Sequence, residues 1–429
     1  MYSITQFLTS KKNRAFTTII FHVAIVLTVY GFLHVFYQSK YVAPTPNNLI
    51  RCDAYWYYTI KEFGYLYTQD SASNLAFFPL FPLVWRLTGL DILLISVFNL
   101  IIFCFSLAFL LKEQKLHHNI ILLLLSFPSF IFFAVPYSES LFFLFCTLIV
   151  TGYKKDSIWL LCIGLFGAAL TRSVCVIFVP AIILCELLNY GSKKTLRLRF
   201  LQTVYKLWAS LGGLFLAGVY MARNDGKWFY FIELQKYWRR HWIIPQFPLT
   251  TIAANRVLGL DGIAFTCGVL AIFFIVRWVL AHITKKKPLL LSAVNQSVLF
   301  SALYIAGVTI LDTSFSFNLG KSTSIWSINR HVMCTPFTLI FVIYLYQGFS
   351  PKLKEGVILI LLTLFGFFFT GVYQHFNLNV LCFYSLFFLV FYLLKYYPFL
   401  NNYFVLYYSL AVFMQASFYS DFLNSAWIG

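Results

Sequence analysis

The sequence predicts an all-α polytopic membrane protein, and three observations support that fold class. Of the 429 residues, 60% are hydrophobic, 21% are aromatic and only 11% are charged, whereas soluble domains are about one quarter charged. Apolar runs recur along the chain, and about 20 such residues are needed to cross a membrane. Basic residues cluster in the short breaks between these runs, where the loops of a membrane protein place them. We therefore expect one transmembrane domain over residues 1–429.

The apolar runs predict about 11–13 transmembrane helices. The first run, about residues 16–36, is long enough to span and lacks a convincing cleavage site, so we expect a retained helix rather than a signal peptide. Most of the nine cysteines lie inside apolar runs, where a thiol serves as a small hydrophobic side chain. The candidate spans centre near residues 27, 101, 126, 144, 164, 181, 214, 271, 300, 341, 363, 385 and 408.

The distribution of lysine and arginine predicts the orientation. The net charge of +18 does not indicate nucleic-acid binding, because no basic stripe lies on a soluble module. If the N-terminus is cytoplasmic, alternate loops on that side carry the basic clusters. The first external loop, about 38–90, and a long external segment, about 223–262, then face the periplasm or the lumen of the endoplasmic reticulum. The basic clusters are Lys11/Lys12/Arg14, Lys112/Lys115, Lys154/Lys155, Lys193/Lys194/Arg197/Arg199/Lys206, Lys285/Lys286/Lys287 and Lys352/Lys354.

The first external loop contains the stretch CDAYWYYTIKEFGY, residues 52–65. Helical spacing places an apolar stripe on one face and Asp53 with Tyr57 on a neighbouring face, which is typical of a helix lying in the membrane interface. Gly64 is expected to end this helix. One interpretation makes Asp53 a solvated N-cap of an interfacial anchor, and the other turns it toward an enclosed cavity. The apolar stripe consists of Trp56, Ile60 and Phe63.

The segment AFFPLFPLVWR, residues 76–86, follows in the same loop. Pro79 and Pro82 leave backbone groups unpaired, which at membrane depth is tolerated only against protein or a wet cavity. The segment is interpreted either as a re-entrant turn before the next span or as a wall of a groove for a lipid tail. The two interpretations are compatible.

Two ionisable residues lie next to apolar runs on the external side. Glu139 is expected either to cap the helix that begins after Ser138 or to face a polar cavity. Arg172 needs an anionic partner, which is either Glu139 or a phosphate gripped by two hydrogen bonds. Both interpretations of each residue remain open from the sequence.

Basic and aromatic residues alternate in two further external stretches. In QKYWRRHW, residues 235–242, Arg239 and Arg240 lie beside Trp238, a set typical of membrane-interface anchoring and also of phosphate binding. In SINRH, residues 327–331, Arg330 and His331 lie just outside a predicted span. The chain has no P-loop, no dinucleotide-binding glycine motif and no zinc-binding spacing, so a sugar donor, if there is one, is expected to be carried by a lipid.

Several stretches resemble the PIG-V type mannosyltransferases (GPI mannosyltransferase II) and their bacterial relatives. CDAYWYYTIKEFGY and AFFPLFP are similar to the family's first-loop motif, although Cys52 stands where tryptophan is usual. FPSFIFFAVPYSES, ALTRS, YW with IPQF, and NRHVMCTP are similar to later family motifs, in family order. Arg239 and Arg240 make the 235–249 segment more basic than in eukaryotic members. The absence of a glycosylation sequon from the predicted external loops favours a bacterial source.

The resemblance implies a GT-C type fold and an inverting glycosyltransferase on the non-cytoplasmic face. Its donor is a polyprenyl- or dolichyl-phosphate sugar, usually mannose, and its acceptor is lipid-linked or another extracytoplasmic glycan. We expect Asp53 to be the general base and no metal or other cofactor, because arginine can supply the positive charge. Expected substrate-binding residues are Tyr57, Tyr65, Glu139, Arg172, Trp238, Arg239, Arg240, Arg330 and His331.

Three alternatives concern activity and location. A bacterial inner-membrane enzyme with a periplasmic site is favoured, and an enzyme of the endoplasmic reticulum with a luminal site is the alternative. In that compartment the chain would be GPI mannosyltransferase II proper, which adds the second mannose of the GPI precursor. A polytopic lipid transporter or flippase would also explain the apolar composition, but the matched, interrupted half-repeats of transporters are missing.

Overall fold

A computed structural model gives the fold. It describes residues 14–68, 70–114, 116–188, 195–225, 228–253, 255–284, 294–348, 353–375 and 401–428. The structure is 76% helical, which confirms the all-α class of a membrane protein. The predicted span near residue 385 lies outside the described residues, as do the basic residues Lys11, Lys12, Lys115, Lys193, Lys194, Lys285, Lys286, Lys287 and Lys352.

The described helices run in chain order through both halves of the sequence. The N-terminal half contains α1 (Arg14–Phe36), α2 (Pro46–Leu49), α3 (Asp53–Phe63), α4 (Leu80–Thr88), α5 (Ile92–Leu111), α6 (His118–Leu125), α7 (Glu139–Lys155), α8 (Ile158–Thr171) and α9 (Phe178–Leu188). The C-terminal half contains α10 (Leu196–Asp225), α11 (Tyr230–Leu234), α12 (Asn255–Ile283), α13 (Gln296–Ser314), α14 (Ile328–Met333), α15 (Pro336–Gly348), α16 (Leu353–Phe369) and α17 (Asn401–Leu423). Short 3₁₀ helices lie at Asn74–Ala76, Pro128–Ala134, Ser173–Ile177, Gln235–Trp238 and Val372–His375.

Five described helices are long and apolar enough to cross a membrane: α1, α5, α10, α12 and α13. The 3₁₀ helix Pro128–Ala134 and α7 form a sixth span if a pair bent by 104° is counted as one. The expected 11–13 spans are therefore not reached among the described residues. For α8, α9 and α15 the reason is length, since they have only 14, 11 and 13 residues, fewer than the roughly 20 that a straight span needs. Helix α17 has 23 residues but is not among the five.

Close helix contacts through glycine organise the centre of the bundle. A Cβ atom on Gly164 of α8 would lie 2.7 Å from the Phe145 carbonyl oxygen of α7. A Cβ atom on Gly213 of α10 would lie 2.5 Å from the Phe166 carbonyl oxygen of α8. Helices in lipid have no hydrophobic driving force for association, so they associate through close backbone packing at small residues. These glycines hold α7, α8 and α10 together, and α7 and α8 both carry residues of the candidate site.

Four two-residue strands tie together the segments after α11 and α13. Strand β1 (His241–Trp242) pairs antiparallel with β2 (Phe315–Ser316), and β3 (Asn318–Leu319) pairs antiparallel with β4 (Ser322–Thr323). An isolated parallel bridge joins Thr250 to Ser324. This pairing brings the end of α13 next to the segment that follows the 3₁₀ helix Gln235–Trp238.

Three local predictions need correction. No continuous helix is centred at residue 126: α6 ends at Leu125, and the proline at 128 begins a 3₁₀ helix instead, because proline is tolerated at a helix start but not inside one. The two prolines of residues 76–86 do not leave an irregular turn, since Pro79 is the N-cap of the regular helix α4 and Pro82 lies in its first turn. The predicted stripe of α3 does not face a single environment, since Ile60 is buried in the protein and Phe63 is 69% exposed.

Candidate functional site

A polar cavity of about 130 Å³ lies where the loops predicted to be external meet. At about 30 Å³ per water molecule, it has room for a polar head group, while the remainder of a larger ligand would lie outside it. Six separate segments of the chain contribute to its wall. The lining residues are Asp53, Tyr57, Ala76, Phe77, Phe78, Thr171, Arg172, Ser173, Gln235, Trp238, Arg240, Trp326, Ser327, Arg330, His331 and Trp427.

Asp53 is placed by the first turn of α3. It is the first residue of that helix, and Cys52 before it has φ 50°, a backbone conformation that is rare for a side-chain-bearing residue. Such strain costs about 1–3 kcal/mol and is concentrated at functional sites. The Asp53 carboxylate does not cap the helix; its Oδ2 atom lies 2.8 Å from Arg330 Nη1, and the side chain stays 18% exposed. The solvated N-cap interpretation is therefore wrong.

Arg330 joins Asp53 to Glu139. Its Nε and Nη2 atoms donate to Glu139 Oε1 at 2.8 and 2.6 Å, and its guanidinium lies over the rings of Phe132 and Tyr137. Burial opposes the charge of Arg330, but Glu139 and Asp53 outweigh that effect and raise its pKa well above the ordinary value. Arg330 is thus a permanently charged group held in one orientation at the cavity wall.

Glu139 is shared by two arginines. It begins α7, where a helix N-terminus favours negative charge, and the same Oε1 atom also accepts from Arg172 Nη1. Glu139 is 1% exposed, so its carboxylate is an interior anchor and not a solvated cap. Arg172 pairs with Glu139, as one of its two interpretations predicted. It also lines the cavity, and its contact with a phosphate stays a prediction.

Behind the lining residues Arg240 and His331 lies an acidic residue that the sequence reasoning missed. Asp312, in the last turn of α13, lies 2.8 Å through Oδ2 from His331 Nδ1 and 3.4 Å through Oδ1 from Arg240 Nη1. Burial lowers the pKa of His331, and Asp312 only partly offsets this, so His331 is neutral at pH 7. A carboxylate inside an otherwise apolar span was the available signal, because such groups are costly and usually functional.

The whole cluster is charge-balanced. Three arginines, Arg172, Arg240 and Arg330, carry +3, and three carboxylates, Asp53, Glu139 and Asp312, carry −3, which gives a formal sum of zero with His331 neutral. Buried charges are tolerated when they are paired and hydrogen-bonded. Only Asp53 among the three carboxylates belongs to the cavity lining, so it is the acid that a ligand can reach.

A polar network behind the cavity fixes α14. The Asn329 side chain and backbone N–H both donate to Asp261 Oδ1, at 2.6 and 3.2 Å, and Ser129 donates to Asn329 Oδ1 at 2.9 Å. The network joins α12, α14 and the 3₁₀ helix Pro128–Ala134. Because Arg330 and His331 follow Asn329 in the same short helix, this network sets their position.

The remaining predicted site residues divide into two groups. Tyr57 and Trp238 line the cavity, and the Tyr57 hydroxyl lies 2.7 Å from Ser138 Oγ. Tyr65 does not reach the cavity, since it is buried and donates to the Phe77 carbonyl oxygen at 2.6 Å. Arg239 is exposed and adopts φ 62° at the end of a 3₁₀ helix, so its side chain lies outside the lining as well.

A separate apolar groove of about 470 Å³ is lined in part by the 3₁₀ helix Pro128–Ala134. Residues of α1, α5 and α17 line it together with Phe130 and Ile131. The predicted lipid-tail wall at 76–86 is not part of this groove, because Ala76, Phe77 and Phe78 line the polar cavity.

Trp427 enters the cavity lining from the C-terminal end of the chain, where the sequence offered no motif. Its ring stacks on Trp326, with ring centroids 5.1 Å apart, and Trp326 carries the Arg240 guanidinium over its ring. Within the described residues, no group of three or more histidine, cysteine or acidic side chains is arranged to hold a metal ion. Comparisons with family models, curated proteins and solved structures found no match to this chain.

Proposed function

We propose that this chain is a GT-C type membrane glycosyltransferase that takes a sugar from a polyprenyl- or dolichyl-phosphate donor and transfers it to an extracytoplasmic acceptor. The observation that carries the proposal is the placement of Asp53, a reachable carboxylate in a cavity wall that also contains three arginines. Mannose is the proposed sugar because of the resemblance to the PIG-V type enzymes. The apolar surroundings suit a substrate that arrives on a lipid.

The proposed reaction is a displacement at the anomeric carbon. The acceptor hydroxyl oxygen forms the new glycosidic bond, the bond between the anomeric carbon and the phosphate oxygen breaks, and the acceptor proton moves to Asp53. The donor phosphodiester carries one negative charge, and the departing lipid phosphate carries two. Protonation of Asp53 takes the side-chain cluster from zero to +1 at the same moment, so arginines already in place stabilise the developing charge.

The arginines have distinct proposed roles. Arg330 holds the Asp53 carboxylate through one oxygen, Oδ2, which leaves Oδ1 for the acceptor hydroxyl. Arg172 and Arg240 lie on other parts of the wall and contact the phosphate, a pattern for which planar guanidinium groups are well suited. The sequence departs from the family pattern at Cys52, beside the base, and at Arg239 and Arg240, so the acceptor is proposed to differ from that of the eukaryotic enzymes.

A transfer assay tests the proposal. Purified full-length protein in proteoliposomes is supplied with radiolabelled polyprenyl-phosphate mannose and a membrane lipid extract as the source of acceptors. We expect the label to appear in a product that is neither the donor nor free mannose. Movement of intact donor across the bilayer without any transfer would instead support a lipid transporter, whose substrate the 470 Å³ apolar groove also suits.

A further inference from the structure

We propose that Asp312 is a positioning residue that fixes His331 as a hydrogen-bond acceptor for a hydroxyl group of the donor sugar. This inference rests on the proposed function and assigns the sugar-recognition contact within the same cavity. Asp312 lies in the last turn of α13 and His331 in α14, so the contact depends on the tertiary fold and not on neighbouring positions in one helix.

The proton position on His331 follows from its partner. An ionised carboxylate only accepts hydrogen bonds, so the 2.8 Å contact with Asp312 Oδ2 requires a proton on His331 Nδ1. In a neutral imidazole the other nitrogen, Nε2, then carries a lone pair and accepts. His331 lines the cavity, and the described residues supply no hydrogen-bond partner for Nε2.

The chemistry of the wall indicates which part of the ligand meets Nε2. Arg172, Arg240 and Arg330 can only donate, so they suit a phosphate, which only accepts when fully ionised. Nε2 needs a donor, and the donating groups of a sugar phosphate lipid are its hydroxyls. The geometry therefore separates a phosphate-binding part of the wall from a sugar-binding part at His331.

Arg240 makes the arrangement testable by substitution. It donates to Asp312 Oδ1 at 3.4 Å. In an Asp312→Asn variant, Arg240 still needs an acceptor at that position. The new amide must then turn its oxygen toward Arg240 and its NH₂ group toward His331. Nδ1 has to accept, so the proton moves to Nε2, which then donates toward the cavity. The sugar hydroxyl can accept from it only by turning its own proton away, and that proton loses the acceptor that His331 supplied.

The experiment compares two lipids on the purified full-length protein in nanodiscs: polyprenyl-phosphate mannose and the methyl ester of polyprenyl phosphate, a phosphodiester with the same single charge and no sugar. The readout is the ratio of their dissociation constants, because Asp312→Asn also removes a negative charge and so changes phosphate affinity for both lipids alike. We expect the wild type to favour the mannosyl lipid. Asp312→Asn should reduce that preference about tenfold, the equivalent of roughly one hydrogen bond.

A double-mutant cycle separates positioning from a general structural effect. His331→Gln places an amide oxygen near the position of Nε2, and that amide can rotate regardless of residue 312. The His331→Gln variant should therefore retain the preference for the mannosyl lipid, and adding Asp312→Asn to this variant should cause no further loss. Should Asp312→Asn fail to fold, the contrast of His331→Phe with His331→Gln still tests the acceptor contact on which the inference depends, because Phe keeps a ring and removes the acceptor, and an unchanged mannosyl preference in His331→Phe would overturn the inference.

Two results would overturn the inference. An equal loss of preference from Asp312→Asn in the wild-type and His331→Gln backgrounds would mean that Asp312 does not act through His331. Equal affinity of the wild type for the two lipids would remove the sugar contact and leave phosphate binding in place. Failure of the wild type to bind either lipid is a different outcome, since it would remove the proposed function and the inference with it.

Discussion

Glu139 is the shared counter-charge of two neighbouring arginines. One oxygen of this buried carboxylate accepts from Arg172 and from two nitrogens of Arg330. Removing one partner of a buried ion pair leaves an uncompensated charge in a site of low polarity. Glu139 is therefore expected to matter chiefly for stability, whereas Arg172, which also lines the cavity, is expected to matter for the ligand.

We predict that Glu139→Gln and Arg172→Lys affect different properties. Glu139→Gln should cost about 3–5 kcal/mol of stability, because two buried guanidinium groups lose their shared counter-charge. Arg172→Lys keeps the charge but loses the planar fork, so donor affinity should fall while folding survives. The measurements are the melting temperature and the affinity for polyprenyl-phosphate mannose. Parallel destabilisation in both variants, with unchanged donor affinity in the folded fraction, would make Arg172 purely structural.

We also predict a pH dependence for His331. The charged groups facing it are Asp312 from α13, Arg240 from the segment after the 3₁₀ helix Gln235–Trp238, and Arg172 from the end of α8. Burial lowers the pKa of His331 from its ordinary 6.5, so the midpoint at which Nε2 gains a proton and ceases to accept lies below pH 6.5. The preference for mannosyl lipid over sugar-free lipid should therefore change little between about pH 8 and neutral pH and decline as the pH falls below 6.5. A decline centred above neutral pH would contradict this assignment.

At the scale of the elements, the site depends on how closely α7, α8 and α10 pack. Arg172 follows the last residue of α8, and Glu139 begins α7. The glycine contacts between these helices set the separation of the two side chains. A bulkier residue at such a contact is expected to move the helices apart, because the neighbouring atoms belong to the backbone and cannot rotate away.

Gly212 and Gly213 provide a matched pair for testing this packing. A methyl group at Gly213 would lie 2.5 Å from the Phe166 carbonyl oxygen, whereas at Gly212 the nearest atoms are 3.9 Å away. Gly213→Ala should therefore destabilise the protein by about 1–3 kcal/mol, and Gly212→Ala should leave it unchanged or slightly more stable. Thermal unfolding of both variants checks this. Equal melting temperatures would mean that α8 and α10 do not approach closely.

Several elements follow from local sequence, and others do not. Gly64 ends α3 as expected, because glycine adopts a positive φ, here 81°, without strain. The break after Leu125 was harder to predict, since apolar runs on both sides of Pro128 favour one long span. Sequence spacing also placed Arg239 and Arg240 together, but the turn between them sends Arg239 to solvent and only Arg240 to the cavity.

On the scale of the whole molecule, the cavity is assembled from residues far apart in the chain. The sequence brought Asp53, Glu139, Arg172 and Arg330 forward as candidates because each lies beside an apolar run. It did not predict that one carboxylate serves two arginines, because that depends on the relative positions of α3, α7, α8 and α14. Nor did it predict Trp427, whose role arises only when the C-terminal segment packs on Trp326.

The predicted orientation of the molecule has a direct test. Single cysteines at Ser71 and at Lys155 are introduced into a cysteine-free background, and intact cells are treated with a membrane-impermeant maleimide. Ser71 lies in the loop that carries Asp53, and the Lys155 side chain is 50% exposed at the end of α7. We expect Ser71→Cys to label from outside and Lys155→Cys to label only after lysis, because basic loops stay cytoplasmic. The reverse pattern would place the cavity on the cytoplasmic side.

The central claim is that Asp53 accepts the acceptor proton in a glycosyl transfer, and its most direct test is the transfer rate of Asp53→Asn from polyprenyl-phosphate mannose. The amide keeps the shape and can still accept from Arg330, but it is not a base. Asp70→Asn is the matched control, since Asp70 lies exposed in the same loop and outside the cavity lining. We predict a loss of about 10²–10⁴-fold for Asp53→Asn and a wild-type rate for Asp70→Asn. A folded Asp53→Asn enzyme that transfers mannose at the wild-type rate would contradict the claim.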